Sequence, residues 1–258
     1  MTLETVVSSG WAAGFRNFLG KEMAGWWRTR RWLVHLVLWQ VVITGFVVMV
    51  TRDESNRGQA RALSEAFTVF FQVGGFFGLI GAVLVSQGSI VGEKNSGTAA
   101  WVLTKPIARP AFILAKFVAI TFTFLLLSLL LPSLTTLVAS QLLIGTTPAP
   151  EHFFEAVGLA AVHQTFYIAF TLFLGTVFGS RGPVAGVALG FWIGGQILIN
   201  YLPKWFVLAM PWLITNAASK VARWEAAPVP VWIPVASSAA LAVGLVLAAV
   251  WRFGREEF

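Results

Sequence analysis

The side chains able to do chemistry are few and far apart. His35, His152 and His163 are isolated, and the chain contains no Cys, so no metal-ligand cluster and no thiolate site can be assembled from sequence neighbours. His163 beside Gln164 is the most suggestive polar pair; within an apolar run it reads as a hydrogen bond between neighbouring helices rather than a proton relay. A nucleotide site would need a glycine loop around the phosphates followed by Lys and then Ser or Thr. Gly14 to Glu22 comes nearest, but the spacing from Gly14 to Gly20 is wrong and Glu22 follows Lys21. An intramembrane enzyme would need paired acids, a Ser/His couple or a metal set at one depth, and none is visible. The chain is therefore expected to have no catalytic residues and no cofactor of its own.

What remains is one polar interruption, Val91 to Lys116, between two long apolar runs, Phe67 to Ile90 and Ala111 to Leu131. Each run is long enough to cross a bilayer as a helix. A mere connection could be far shorter. Gly92 and the Asn95-Ser96-Gly97 triplet loosen the chain, and Thr98 is placed to cap a short helix through Ala99, Trp101, Val102 and Leu103. That helix must stop near Thr104, because Pro106 follows Lys105, while Pro110 suits the first turn of the next helix. The product is a small, partly apolar, basic helix whose free face wants a partner.

The ordered set Glu93, Gly97-Thr98, Leu103, Pro106, Arg109 and Lys116 resembles the signature of the ABC-2 type permeases, the membrane subunits of ATP-binding-cassette exporters. The resemblance implies that segment 91–110 is a coupling segment resting on a separate P-loop ATPase subunit, which binds the ATP and Mg. Glu93, Gly97, Thr98, Trp101, Leu103, Lys105, Pro106 and Arg109 are then the coupling residues. It also implies a second permease copy or paralogue, making a dimer, and an amphipathic elbow helix at the N-terminus.

The rest of the chain gives a compatible architecture. At 57% hydrophobic, 11% charged and mean hydropathy +0.77, there is too little polar surface to cover a soluble core. The expected class is all-α integral membrane, with residues 1–31 as tail plus interfacial helix and 32–258 as a six-span domain. Within Trp11 to Arg31, apolar Phe15, Phe18, Trp26 and Trp27 recur at helical spacing against Arg16 and other charges, as in a helix lying in the membrane interface with its apolar side in lipid. The spans are Trp32 to Val50, Phe67 to Ile90, Ala111 to Ala139, Phe153 to Gly179, Val184 to Tyr201 and Val231 to Trp251. No cleavable signal peptide is visible. Twelve of the 18 Lys and Arg fall on the N-terminal side of this alternation and six on the other, which puts both termini in the cytoplasm of a cell whose plasma membrane the chain crosses. The net charge of +7 is scattered along span flanks, so anionic lipid, not nucleic acid, is the expected counter-charge.

Two glycine patterns predict close helix packing: Gly74 with Gly78 in the second span, and Gly182, Gly186, Gly190 and Gly194 at the fifth. Pro203 to Ile214, apolar but cut by prolines, predicts a re-entrant or interfacial hairpin with Trp205 and Trp212 at headgroup depth. No Asp, Glu, Lys or Arg occupies the middle of a span; Lys116 and Glu155 sit near span ends, where they are expected to snorkel. Energy for transport must therefore come from outside the chain. In the resembled family the second and fifth spans line the path, which designates Phe71, Gln72, Phe76, Gln196 and Asn200; Phe and amide groups suit an amphiphilic or lipid-like cargo. A membrane scaffold that binds a soluble partner without transporting anything would use the same short helix.

Overall fold

The structure is a computed structural model that describes residues 10–54, 58–105, 107–225 and 230–256. All regular structure among them is helical. Helix α1, Phe15–Trp27, follows a turn at Gly14. The first span, α2, is Arg31–Glu54, interrupted by a π turn at Gln40–Thr44. Helix α3, Gln59–Ser86, leads through a turn into α4, Val91–Asn95, and α5, Thr98–Leu103. Helix α6 is Arg109–Ile144, with a second π turn at Leu126–Leu130, and α7 is Pro150–Val177. Helix α8 is Arg181–Leu198, α9 is Lys204–Ala209, α10 is Ile214–Ala222 and α11 is Trp232–Gly254.

Five of these stretches are long and apolar enough to cross a membrane: α2, α3 with α4, α6, α7 and α11. The multi-pass membrane reading therefore stands. The fifth expected span is a helix too, but it ends at Leu198 rather than Tyr201, and Arg181, Gln196 and its glycines lower its apolarity below the other five. Helix α7 is the axis. It buries residues on every side, from Phe153 to Thr176, against α3, α10 and α11. A helix apolar all round has to be enclosed or in lipid. Helix α2 lies at the edge, with Leu33, Val34, Val37, Leu38 and Val41 exposed as one apolar face fit for hydrocarbon.

Several boundaries differ from expectation. Thr51 to Ala66 is mostly helical rather than a solvated loop, since α2 runs on to Glu54, α3 starts at Gln59, and Thr51, Ala62 and Ala66 are buried. Arg61 pairs with Glu54 at 2.9 Å there, which lets helices project beyond an apolar layer without leaving their charges unmatched. Pro203 to Ile214 is not a simple hairpin. It forms α9 and a 3-10 turn, and then α10 packs between α3 and α7, with Thr215 against Gly75. Trp205 is exposed as expected, but Trp212 is buried against Phe191 and Phe206.

The π turns leave backbone carbonyls and side chains out of the regular ladder. Near them Thr44 and Thr135 both donate to Gln40 Oε1 at 2.8 Å, a polar trio joining α2 to α6. Ser128 donates to Gln164 Oε1 at 3.2 Å, joining α6 to α7, so the hydrogen bond expected of the His163-Gln164 pair is made by Gln164. His163 is buried with its ring 5.0 Å from that of Tyr167, and neither nitrogen has a partner among the described residues.

Candidate functional site at the polar end of the bundle

Helix α4 turns its acidic side chain inward. Lys116 Nζ of α6 donates to Glu93 Oε1 at 2.9 Å and to Glu22 Oε1 of α1 at 3.2 Å. Lys21 Nζ reaches the same two carboxylates at 3.2 and 3.1 Å. Lys116 does not snorkel; its side chain is only 2% exposed. A buried ammonium is tolerated when opposite charges are brought to it, and here α1 and α4 bring one carboxylate each. Burial opposes the charge on Lys21, but Glu22 and Glu93 outweigh it and raise its pKa above 10.5. The stability that this cation contributes is thus fully present below pH 10.5 and lost only as pH climbs through the raised value, so Lys21 stays charged across the neutral range.

The apolar side of α1 meets protein here. Phe18 is buried, its ring 4.9 Å from that of Phe112, which stacks at 4.9 Å on Phe253 at the end of α11. Phe15 is half-buried against the core, Arg16 is exposed, Trp26 lies 5.2 Å from His35 and Trp27 5.8 Å from Trp32. The helix expected to float with its apolar face in lipid is instead clamped to α6 through Phe18.

Helix α5 is entered through Gly97, whose φ of 69° is a left-handed conformation that costs a glycine little. Thr98 is not the cap: it is the first helical residue, and its hydroxyl lies 2.8 Å from that of Ser96. Ala99 and Val102 are buried and Leu103 is half-buried, which fixes the inner face. Trp101 is 60% exposed on the outer face, with Lys105 Nζ 3.9 Å above its ring. Pro106 lies outside the described residues. Arg109 does not reach outward; its Nη1 donates to the carbonyls of Gly254 and Glu256 at 2.8 Å each, satisfying the open end of α11. Lys94 pairs with Glu256, and Asn95 Nδ2 donates to the carbonyl of Gly179 at 3.1 Å. Ala108 N–H closes the set onto Ala13 O at 2.9 Å. Of the residues expected to touch a partner, Glu93 and Arg109 are thus occupied within the chain, while Trp101 and Lys105 face out and Gly97 shapes the turn before them.

The family model for ABC-2 family transporter proteins matches residues 16–258, from α1 through α11 and on to Phe258. The chain belongs to the ABC-2 transporter family. No curated protein matches it. Helices α4 and α5 together form a segment tied through α4 to α1, α6 and the ends of α7 and α11, with Trp101 of α5 exposed.

The residues designated as path lining divide. Gln72 and Phe76 are exposed on one side of α3, with Phe76 5.2 Å from Trp192 of α8; Gln196 and Asn200 are exposed at the far end of α8, where Gln196 donates to Trp212 O at 3.3 Å. Phe71 turns the other way, buried against Phe70 and Phe153. The glycines divide as well. A Cβ on Gly78 would meet Gln164 at 2.4 Å and one on Gly74 would touch Ile43 at 3.7 Å, so this pair does mark helix packing. At Gly182, Gly186, Gly190 and Gly194 a Cβ would meet nothing within 4 Å, so the expected close contact is absent from within the described chain. The close approach on α8 is at Gly195, where a Cβ would stand 2.1 Å from Trp212. Trp212 lies too far along the sequence for spacing alone to pair it with Gly195.

Proposed function

We propose that this chain is the permease subunit of an ATP-driven exporter, moved by a separate ATPase subunit that binds the ATP and Mg and docks on α5. The observation that carries the reading is the split character of α5: Ala99 and Val102 hold it to the bundle while Trp101 and Lys105 are presented outward. An exposed Trp with a cation above it is the type of anchor that dominates protein interfaces. Force on α5 would pass through α4 into Lys116 of α6, Glu22 of α1, and the ends of α7 and α11, by the contacts above. The membrane subunit then moves as coupled levers while the chemistry stays in the motor.

In this reading α8 is a sixth span, both termini are cytoplasmic in the plasma membrane, and α9 with α10 re-enter the membrane from outside. Support for the last comes from Thr215 lying against Gly75, roughly two turns inside the apolar start of the second span. The open glycine side of α8 favours pairing with a second copy or a paralogue. Gln72 and Phe76, flanking α8, leave an amphiphilic or lipid-like cargo as the fitting class. The test is purification of the complex with reconstitution into vesicles: ATP-dependent movement of a fluorescent lipid, abolished by Trp101→Ala, supports the permease. An ATPase partner that binds through Trp101 while no cargo moves would replace it with a non-transporting scaffold.

A further inference from the structure

A polar cavity of about 440 Å³ opens between the starts of α2 and α8 and the end of α3, and the reading above gives it no role. Arg31, Arg181, Lys116 and Glu93 line it, and its walls continue into Leu84 and Trp26. Arg31 and Arg181 each open a helix, and neither guanidinium meets an acid or a carbonyl among the described residues. Arg181 lies along the α3–α4 turn, its Nε 3.1 Å from where a Cβ on Gly88 would sit and one Nη 3.3 Å from the same point on Gly92. The residue is exposed there, without a counter-charge among the described residues. Beside it, Glu93 Oε1 takes both lysines, whereas Glu93 Oε2 is buried with no partner. Leu84, at 54% exposure, carries the cavity wall out onto the apolar outer surface of α3.

These features ask for one ligand with three parts. The two free guanidiniums match a phosphate, which they bind through paired N–H donors. The orphaned carboxylate oxygen asks for a hydrogen donor, since a buried acceptor left unmatched is costly. The apolar wall asks for a chain that continues into hydrocarbon. We propose that this cavity binds the headgroup of a membrane phospholipid, with its phosphate on Arg31 and Arg181 and a headgroup amine or hydroxyl on Glu93. Free phosphate would satisfy only the first of the three.

The test is native mass spectrometry of the full purified chain, titrated with phosphatidylethanolamine, phosphatidylcholine, diacylglycerol and inorganic phosphate. Phosphatidylethanolamine should bind one per chain, and Arg31→Gln with Arg181→Gln should weaken it at least about tenfold, which is roughly the step one charge-assisted contact supplies. Phosphatidylcholine, which has the phosphate but no N–H, should bind at least about threefold more weakly. Should the double variant fail to fold, Arg181→Lys keeps the charge but loses the fork, and a drop of about threefold is expected. Arg61→Gln, at the opposite end of the bundle, should change nothing. Inorganic phosphate or diacylglycerol binding as tightly as phosphatidylethanolamine, parity of the two phospholipids, or full affinity in the arginine variants would each overturn the assignment. No ATPase is present in the experiment, so its failure leaves the permease reading where it stands.

Discussion

At the α4–α5 end, two lysines and two glutamates from α1, α4 and α6 join in four ion pairs of 2.9 to 3.2 Å, and Arg109 and Lys94 add ties to the end of the last helix. Along α8 the arrangement is the reverse. One side is seated through Val184, Ala188 and Gly195, and on the other a Cβ at any of the four glycines in the row would meet nothing within 4 Å among the described residues. Both regions are helical and both flank the same bundle. In the proposed reading the first segment transmits a push, and its short ion pairs give it links that resist stretching. A segment that must meet another molecule needs a surface left vacant by its own chain.

That contrast can be broken most severely at Lys116. Lys116→Met leaves Glu22 and Glu93 facing each other without their buried cation, and about 3 kcal/mol of stability should be lost, visible as a lower Tm in detergent. Adding Glu93→Gln should restore part of it, because the partners are coupled. A pair of substitutions on one helix sharpens the same contrast. Gly195→Ala drives a methyl into Trp212 and should cost about 1–3 kcal/mol. Gly186→Ala meets open space, so monomer stability should stay within about 0.5 kcal/mol while the dimeric fraction in light scattering changes. The smallest effect on folding is expected from Trp101→Ala, within about 0.5 kcal/mol by the same melt, since the ring is mostly exposed. Its effect should appear only with a motor present.

Much of this was legible in the sequence, for reasons that differ by residue. The apolar runs, the stop after Leu103 and the start at Pro110 are local properties, and the structure keeps them. The short α5 follows from the same local rules, but which of its side chains turns outward does not. Lys116 could not be placed that way: at a span end, snorkelling and burial look alike until Glu22 and Glu93 are known to arrive from other elements. Arg109 misled for the same reason, since the carbonyls it satisfies lie at the opposite end of the chain. Helix α10 begins where the expected hairpin ended, and its Asn216, Ser219 and Lys220 break up any apolar run that could have marked it in the sequence. The glycine row was visible, but periodicity tells which side is smooth and not whether this chain covers it.

The central claim is that the motor acts on the outward face of α5. Because the chain has no Cys, Trp101→Cys would supply a single thiol there, and a bifunctional crosslinker applied to native membranes reads what lies beside it. The account predicts a covalent adduct with an ATP-hydrolysing protein, and none from Gly186→Cys. An adduct from the Gly186 position alone, or labelling of the Trp101 position from outside the cell, would contradict it.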